Sequence, residues 1–162
     1  MDWNVRWALA VGILTACGGK GGEDSGASGD TDVTPPDGAA CAVRTDEGLL
    51  MVPGNTPDTT APAIQSLSTP YTIQLAPNQG GWVRLVLPES GEYTIHTSFS
   101  GVLYGLWTDN GEYPLAAERP SDVCADTIPA VYGVEVDTPS SLYLQLGPLS
   151  ALYYWVYVQQ EA

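Results

Sequence analysis

Apolar and other side chains alternate with a period of two through most of the chain from residue 71 onward. Val83, Leu85 and Leu87 alternate with Trp82 and Arg84, and the same alternation recurs in the segments that follow. Residues two apart lie on one face of a β-strand, whereas a helix needs a period of 3.6. The alternation therefore predicts strands with one apolar face each. We expect about eight of them, near 48–52, 71–75, 82–87, 92–98, 102–108, 131–136, 141–146 and 152–158.

Turn-forming clusters separate these segments. Residues 88–91 (PESG), 109–111 (DNG) and 137–140 (DTPS) contain the Gly, Asn and Pro that tight turns need. No segment is typical of a helix, and 53–70 and 114–130 are expected to be connections. Short strands at this spacing favour an all-β fold: a single antiparallel β-sandwich of jelly-roll or immunoglobulin-like form.

The amino-terminal residues have the features of an export signal. The apolar run 7–14 is too short to span a bilayer but suits a secretory signal. It ends in Leu14-Thr15-Ala16-Cys17, which resembles the bacterial lipobox. The resemblance implies that 1–16 is a signal peptide, removed before Cys17, and that Cys17 carries the lipid anchor. Gly18 then favours the outer membrane or cell surface over the inner membrane.

Cysteine number supports the same interpretation. The chain has three Cys, and an odd thiol is unfavourable in an exported protein. If Cys17 is acylated, Cys41 and Cys124 remain as an even pair in an oxidising compartment, so we expect them to form a disulfide. A metal site built from these two residues and His96 would lack the short paired spacings of metal ligands.

Residues 17–40 are expected to be a disordered, acidic, Gly-rich tether between the lipid anchor and a domain at 41–162. From residue 18 to 40 the segment holds seven Gly, five acids and one Lys. It has too little apolar surface to offset its ordering entropy. Asp30, Asp32 and Asp37 lack the spacing of a calcium loop and are expected to be solvated.

The charge balance restricts the partners. The formal net charge is −14, and the domain holds 13 acids against Arg44, Arg84 and Arg119. A nucleic acid needs a concentrated basic face, so nucleic acid is excluded as a partner, and the membrane is reached only through the lipid anchor. Without a phosphate-binding or dinucleotide motif, no cofactor is expected.

A resemblance to a known family covers about half of the domain. Residues 70–98 and 102–113, with a Pro-x-Ser-Gly-x-Tyr turn followed by an apolar strand and an Asp-x-x-Gly-like turn, resemble the bacterial pre-peptidase C-terminal type of β-sandwich. This resemblance implies an accessory, surface-associated domain without catalysis of its own. The sequence Gly105-Leu106-Trp107 stands where acids are frequent in that family, so no calcium site is expected.

Catalytic residues are not evident. His96, the only His, is expected to point away from the core face, to solvent or to the exterior of its sheet. No Gly-x-Ser-x-Gly elbow accompanies it. Glu89 and Glu92 flank a turn, where solvated acids are expected. The chain is therefore predicted not to be an enzyme, with an envelope hydrolase as the least supported alternative.

Aromatic residues give the binding hypothesis. Five of them alternate with the apolar core residues of their own strands and so are expected to face the other way. Together they would form a platform for sugar rings or for a protein. The candidate ligand-binding residues are Trp82, Tyr143, Tyr153, Trp155 and Tyr157. The alternative is that the last strand is central with both faces covered, and that these aromatic residues pack across strands in the core or on the sheet surface. We thus expect a lipid-anchored binding or adhesion module for a glycan or envelope protein, or else a structural subunit of an envelope complex.

Overall fold

The computed structural model describes residues 36–44 and 47–161. These residues form one helix and ten strands. The elements are α1 (Pro36–Val43), β1 (Leu49–Met51), β2 (Ala63–Ile64), β3 (Pro70–Gln74), β4 (Gly81–Leu87), β5 (Gly91–Thr97), β6 (Leu103–Thr108), β7 (Gly111–Tyr113), β8 (Ala130–Val136), β9 (Ser140–Leu146) and β10 (Tyr153–Gln160).

The strands form two five-stranded sheets, which confirms the predicted all-β sandwich. Sheet A has the order β1-β3-β10-β5-β8, and sheet B has the order β2-β4-β9-β6-β7. Without β1 and β2, each sheet has the four-strand order of a jelly roll, and all of those pairs are antiparallel. The two added edge strands pair in parallel with β3 and β4, so the sheets are mixed.

The core lies between the sheets and consists of the alternating apolar residues. On β4 the side chains of Val83, Leu85 and Leu87 are at most 1% exposed, while the residues between them are half-buried. The same alternation on β8, β9 and β10 supplies Val134, Leu144 and equivalent residues to one cluster. All eight predicted strands are present within one or two residues of their expected bounds. The short strands β2 and β7 were not predicted, because two or three residues are too few to show a period.

Helix α1 corrects two expectations. No helix was predicted, and residues 36–40 were assigned to the tether. Pro36 suits the first position of a helix and Asp37 suits its first turn. An eight-residue helix with a Gly is marginal by itself, so its contacts with sheet A must stabilise it.

Within the described residues, no helix is long and apolar enough to cross a membrane. The predicted signal peptide 1–16, the lipidated Cys17 and the tether up to residue 35 lie outside the described residues.

Candidate ligand-binding face

The five predicted aromatic residues do not form one platform. Tyr153, Trp155 and Tyr157 lie on the outer face of sheet A, whereas Trp82 and Tyr143 lie on the outer face of sheet B. The core separates these two faces. The alternation correctly predicted that each of these side chains faces away from the core. It carries no information on which strands share a sheet.

Helix α1 and the loop around Cys124 cover the central part of the outer face of sheet A, around Trp155 and Tyr157. The predicted disulfide is present between Cys41 and Cys124 and joins the helix to that loop. Trp155 and Tyr157 pack beneath them, 5% and 2% exposed, with their rings stacked at a centroid distance of 5.6 Å. These two aromatic residues are therefore part of a second, smaller core and are not available to a ligand.

Tyr153 lies outside that cover. It is 52% exposed and lines a cleft of about 380 Å³ together with Arg44 and Phe99. Arg44 itself is engaged, because its guanidinium carbon lies 5.4 Å from the centroid of a Trp155 ring and its Nε donates to the carbonyl of Thr127. The cleft thus borders the covered part of the face.

His96 lies on the exterior of sheet A, as expected, but is fully buried there beneath the cover. Its Nε2 is 3.1 Å from Thr94 Oγ1, and its Nδ1 is 3.9 Å from a carboxylate oxygen of Asp37. Burial lowers the pKa of His96 to about 4, although Asp37 opposes that shift. An acid, an imidazole and a hydroxyl thus lie together, but a fully buried imidazole cannot reach a substrate.

Asp37 is the centre of this cluster, and its predicted solvation in the tether is wrong. It is 2% exposed, receives two hydrogen bonds from Arg119 and accepts a third from the backbone N–H of Asp122 at 2.7 Å. Burial acts to raise its pKa, but these partners outweigh burial and lower the pKa below its usual value. The cluster joins α1 to the 119–122 segment and is structural.

The outer face of sheet B carries two half-buried tryptophans. Trp82 on β4 and Trp107 on β6 flank Gln145 of the intervening strand β9. Their ring centroids are 6.4 Å apart, with the planes at 73°. Trp107 Nε1 donates a 3.0 Å hydrogen bond to Gln145 Oε1, which fixes the indole across the strand. Among the described residues, the Gln145 amide makes no other side-chain hydrogen bond, so its N–H donors stay free.

Two glycines make room for the aromatic rings of this face. A Cβ on Gly105 would lie 2.9 Å from Trp107 Nε1, and a Cβ on Gly147 would lie 1.6 Å from a ring carbon of Tyr104. The register of β6 against β9 shifts between Leu103 and Gly105, which is a bulge at Tyr104. Bulges re-aim side chains, and Tyr104 is 60% exposed.

A shallow depression lies beside these rings. Its volume is about 270 Å³, and Trp82, Tyr104 and Gln145 are among its lining residues, with Gly81 and Gly147. Tyr143 lies next to it on β9, but is only 5% exposed, although its strand position puts it on the outer face. It therefore supports the face from below instead of offering a ring to a ligand. We refer to Trp82, Tyr104, Trp107 and Gln145 as the sheet B face.

A larger groove of about 770 Å³ lies at the β8 edge of sheet A. Four acids line it: Glu92, Glu135, Asp137 and Glu161. Within the part of the chain that the structure describes, no three His, Cys, Asp or Glu residues are arranged to hold a metal ion. The groove thus presents negative charge without a metal-binding arrangement.

Sequence reasoning identified Trp82 but missed its partners Trp107, Tyr104 and Gln145. Trp107 could have been predicted from the sequence. It alternates with the apolar Leu106 and so faces outward, and Gly105, two residues before it, has no side chain on that face. Tyr104 could not, because its outward position depends on the bulge. Comparison with known proteins adds no assignment: no family model and no curated protein matches this chain.

Proposed function

We propose that the domain is a non-enzymatic binding module that holds a glycan on the sheet B face. The observation that carries the proposal is the pair of neighbouring half-buried tryptophans on the outer face of sheet B, of which Trp107 is held by its hydrogen bond to Gln145. Neighbouring aromatic rings that keep part of their surface accessible on one face of a sheet offer contact area to a ligand.

The chemistry of the face suits a sugar ring. A pyranose presents C–H groups on one side and hydroxyl groups around its edge. The indole faces supply apolar contact area, and the free N–H donors of Gln145 are placed to bond a hydroxyl oxygen. Tyr104 adds a further exposed ring at the edge of the depression. Because the rings are already held in place, little ordering entropy is lost on binding.

Glycan-array screening of the full chain, followed by calorimetric titration of the best ligand, tests the proposal. We expect Trp82→Ala and Trp107→Ala each to weaken binding about 10-fold or more, because each substitution removes a large apolar contact area from the ligand. Both variants should remain folded, since neither residue is in the core cluster.

Tyr153→Ala is the matched control, because Tyr153 is an exposed aromatic residue on the opposite sheet. It should leave glycan affinity unchanged. Binding that survives both Trp substitutions, or that Tyr153→Ala abolishes, would contradict the assignment to the sheet B face.

We also propose that acyl chains on Cys17 hold this module at the outer membrane or cell surface. The support is the sequence Leu14-Thr15-Ala16-Cys17 at the end of a short apolar run. Detergent-phase partitioning and mass analysis of the native protein test it. Cys17→Ser should move the protein to the aqueous phase, and an unmodified Cys17 in envelope fractions would reject the anchor.

Exposed apolar residues at the β1 edge favour a second function, a protein interface in an envelope complex. Leu49 and Leu50 on β1, and Val52 just after it, are each more than half exposed, and β1 has a single neighbour in its sheet. Cross-linking from position 50 in cells tests this function. If the residues form an interface, a photoreactive group there should capture one discrete envelope protein, and Leu50→Glu should abolish the capture without affecting glycan binding.

A further inference from the structure

Arg84 lies on the outer face of sheet B, beside the glycan-binding residues. It is the second residue after Trp82 on β4, and in register it is opposite Tyr143, which in turn is opposite Trp107. The side chains of Val83 and Leu85 on either side enter the core, so Arg84 projects to the same side as Trp82.

The guanidinium of Arg84 has no protein partner among the described residues. Its Nε is shielded from solvent and makes no hydrogen bond. None of the described carboxylates forms an ion pair with it. A shielded donor without a partner costs free energy. The terminal nitrogens of Arg84 also make no hydrogen bond within the described part of the chain, but they are not shielded, so these are the atoms that a ligand can reach.

The other two Arg residues of the domain are engaged. Arg119 pairs with Asp37 and Asp122, and Arg44 lies over Trp155 and bonds the Thr127 carbonyl. The domain holds 13 acids, more than enough to pair every cation. Among the described residues, Arg84 is thus the one Arg whose side chain makes no hydrogen bond, ion pair or ring contact, and it lies on the face with the two tryptophans.

We infer that the glycan bound on the sheet B face carries a carboxylate, as in a uronic acid residue, and that Arg84 pairs with it. The inference rests on the proposed glycan-binding function and specifies its ligand. The planar guanidinium matches a carboxylate with two parallel hydrogen bonds. A neutral sugar could offer Arg84 only hydroxyl oxygens as acceptors, and the charge of the guanidinium would stay unpaired.

The charge of the domain limits the ligand further. With 13 acids and three Arg, the domain repels a uniformly charged polyanion. The ligand that fits is therefore a mostly neutral glycan with an isolated acidic sugar, whose one carboxylate reaches Arg84 while neutral neighbours stack on Trp82 and Trp107.

The experiment uses an array of neutral oligosaccharides and of the same oligosaccharides with a single glucuronate or galacturonate. The best acidic ligand is then compared with its carboxyl-reduced form, which is neutral but otherwise identical. We expect reduction to weaken binding to the full chain about 10- to 100-fold. Because this comparison changes the ligand alone, it does not depend on how a variant folds.

Arg84→Gln and Arg84→Lys supply the matching test on the protein. Arg84→Gln should weaken binding of the acidic ligand as much as carboxyl reduction does, and should leave the affinity for the reduced ligand unchanged. Arg84→Lys should have an intermediate effect, because Lys keeps the positive charge but cannot form two parallel hydrogen bonds with a carboxylate. Thermal unfolding of both variants controls for folding.

The outcomes separate the two proposals. Equal binding of acidic and reduced ligands, still lost in Trp82→Ala and Trp107→Ala, would overturn the role of Arg84 and retain the glycan-binding function. Binding to no neutral or acidic glycan would overturn both. Tight binding of the acidic ligand that Arg84→Gln leaves unchanged would also reject the pairing.

Discussion

At the scale of single residues, the sheet B face depends on two glycines as well as on its aromatic side chains. Gly105 and Gly147 leave the space that Trp107 and Tyr104 occupy. Neither glycine is among those with a positive φ, so the constraint at these positions is space and not backbone conformation. A methyl group at either position therefore acts on the ring beside it.

Gly147→Ala should displace Tyr104, because the added Cβ would lie 1.6 Å from a ring carbon. The ring is largely exposed and can swing outward, so we expect a stability loss below about 1 kcal/mol. Glycan affinity should fall as much as in Tyr104→Ala. The variant with both substitutions should lose no more affinity than either single variant. Additive losses in calorimetric titration would show that the two positions act separately.

His96 gives a pH dependence of stability. Its pKa is about 4 in the folded protein and about 6.5 when exposed. Between these values the unfolded chain binds a proton that the folded chain does not, so stability should fall as pH decreases from 6.5 to 4, by about 3 kcal/mol in total. Asp37, with a lowered pKa, loses its contribution only below about 3.8.

Urea unfolding at pH 7, 5.5 and 4.5 measures this dependence. His96→Gln is the control, because the amide stays neutral throughout and can still bond Thr94. The difference in unfolding free energy between the two proteins should shrink steadily below pH 6.5. Parallel pH profiles would show that His96 titrates normally in the folded state.

At the scale of elements, α1 determines which aromatic residues are buried. It lies over Trp155 and Tyr157 and is held there by the disulfide and by the Asp37–Arg119 ion pair. A helix of eight residues is not stable without such contacts. The disulfide closes a loop between residues 83 apart, which in the chain-entropy model stabilises the fold by about 4–5 kcal/mol.

Replacing both Cys41 and Cys124 by Ser should release α1 and expose Trp155. We expect a lower urea midpoint and a red-shifted tryptophan emission under native conditions, with glycan binding on the opposite face retained. Trp155→Phe in the same background should remove the red shift. An unchanged midpoint and emission would show that α1 stays in place without the disulfide.

The elements also show how far the sequence determines the structure. Strands such as β4 and β9 were predictable, because the alternation of Val83, Leu85 and Leu87 is local information about burial on one side. The burial of Trp155 was not predictable. The helix that covers it, α1, lies more than 100 residues earlier in the chain, and the sequence of α1 has only a weak helical preference. Tyr104 could not be predicted either, because the bulge that turns it outward comes from the pairing of β6 with β9.

At the scale of the whole molecule, excess negative charge acts against the compact state. Residues 41–162 hold 13 acids, and Asp37 adds one more; among the described acids only Asp37 and Asp122 take part in ion pairs. Glu92 and Glu135 lie directly opposite each other on β5 and β8. Like charges directly opposite on neighbouring strands are destabilising.

Raising the salt concentration from about 10 to 150 mM should therefore increase the melting temperature, since the Debye length falls from about 30 to 8 Å. Glu135→Gln should stabilise the protein at low salt, because it removes one charge of the opposed pair, and the gain should shrink at high salt. Thermal scans of both proteins at the two salt concentrations measure this. Glu112→Gln is the control on the opposite sheet, since its cross-strand neighbour is the uncharged Trp107. If salt lowered the melting temperature, or if the two substitutions had equal effects, repulsion at the Glu92–Glu135 pair would not be the cause.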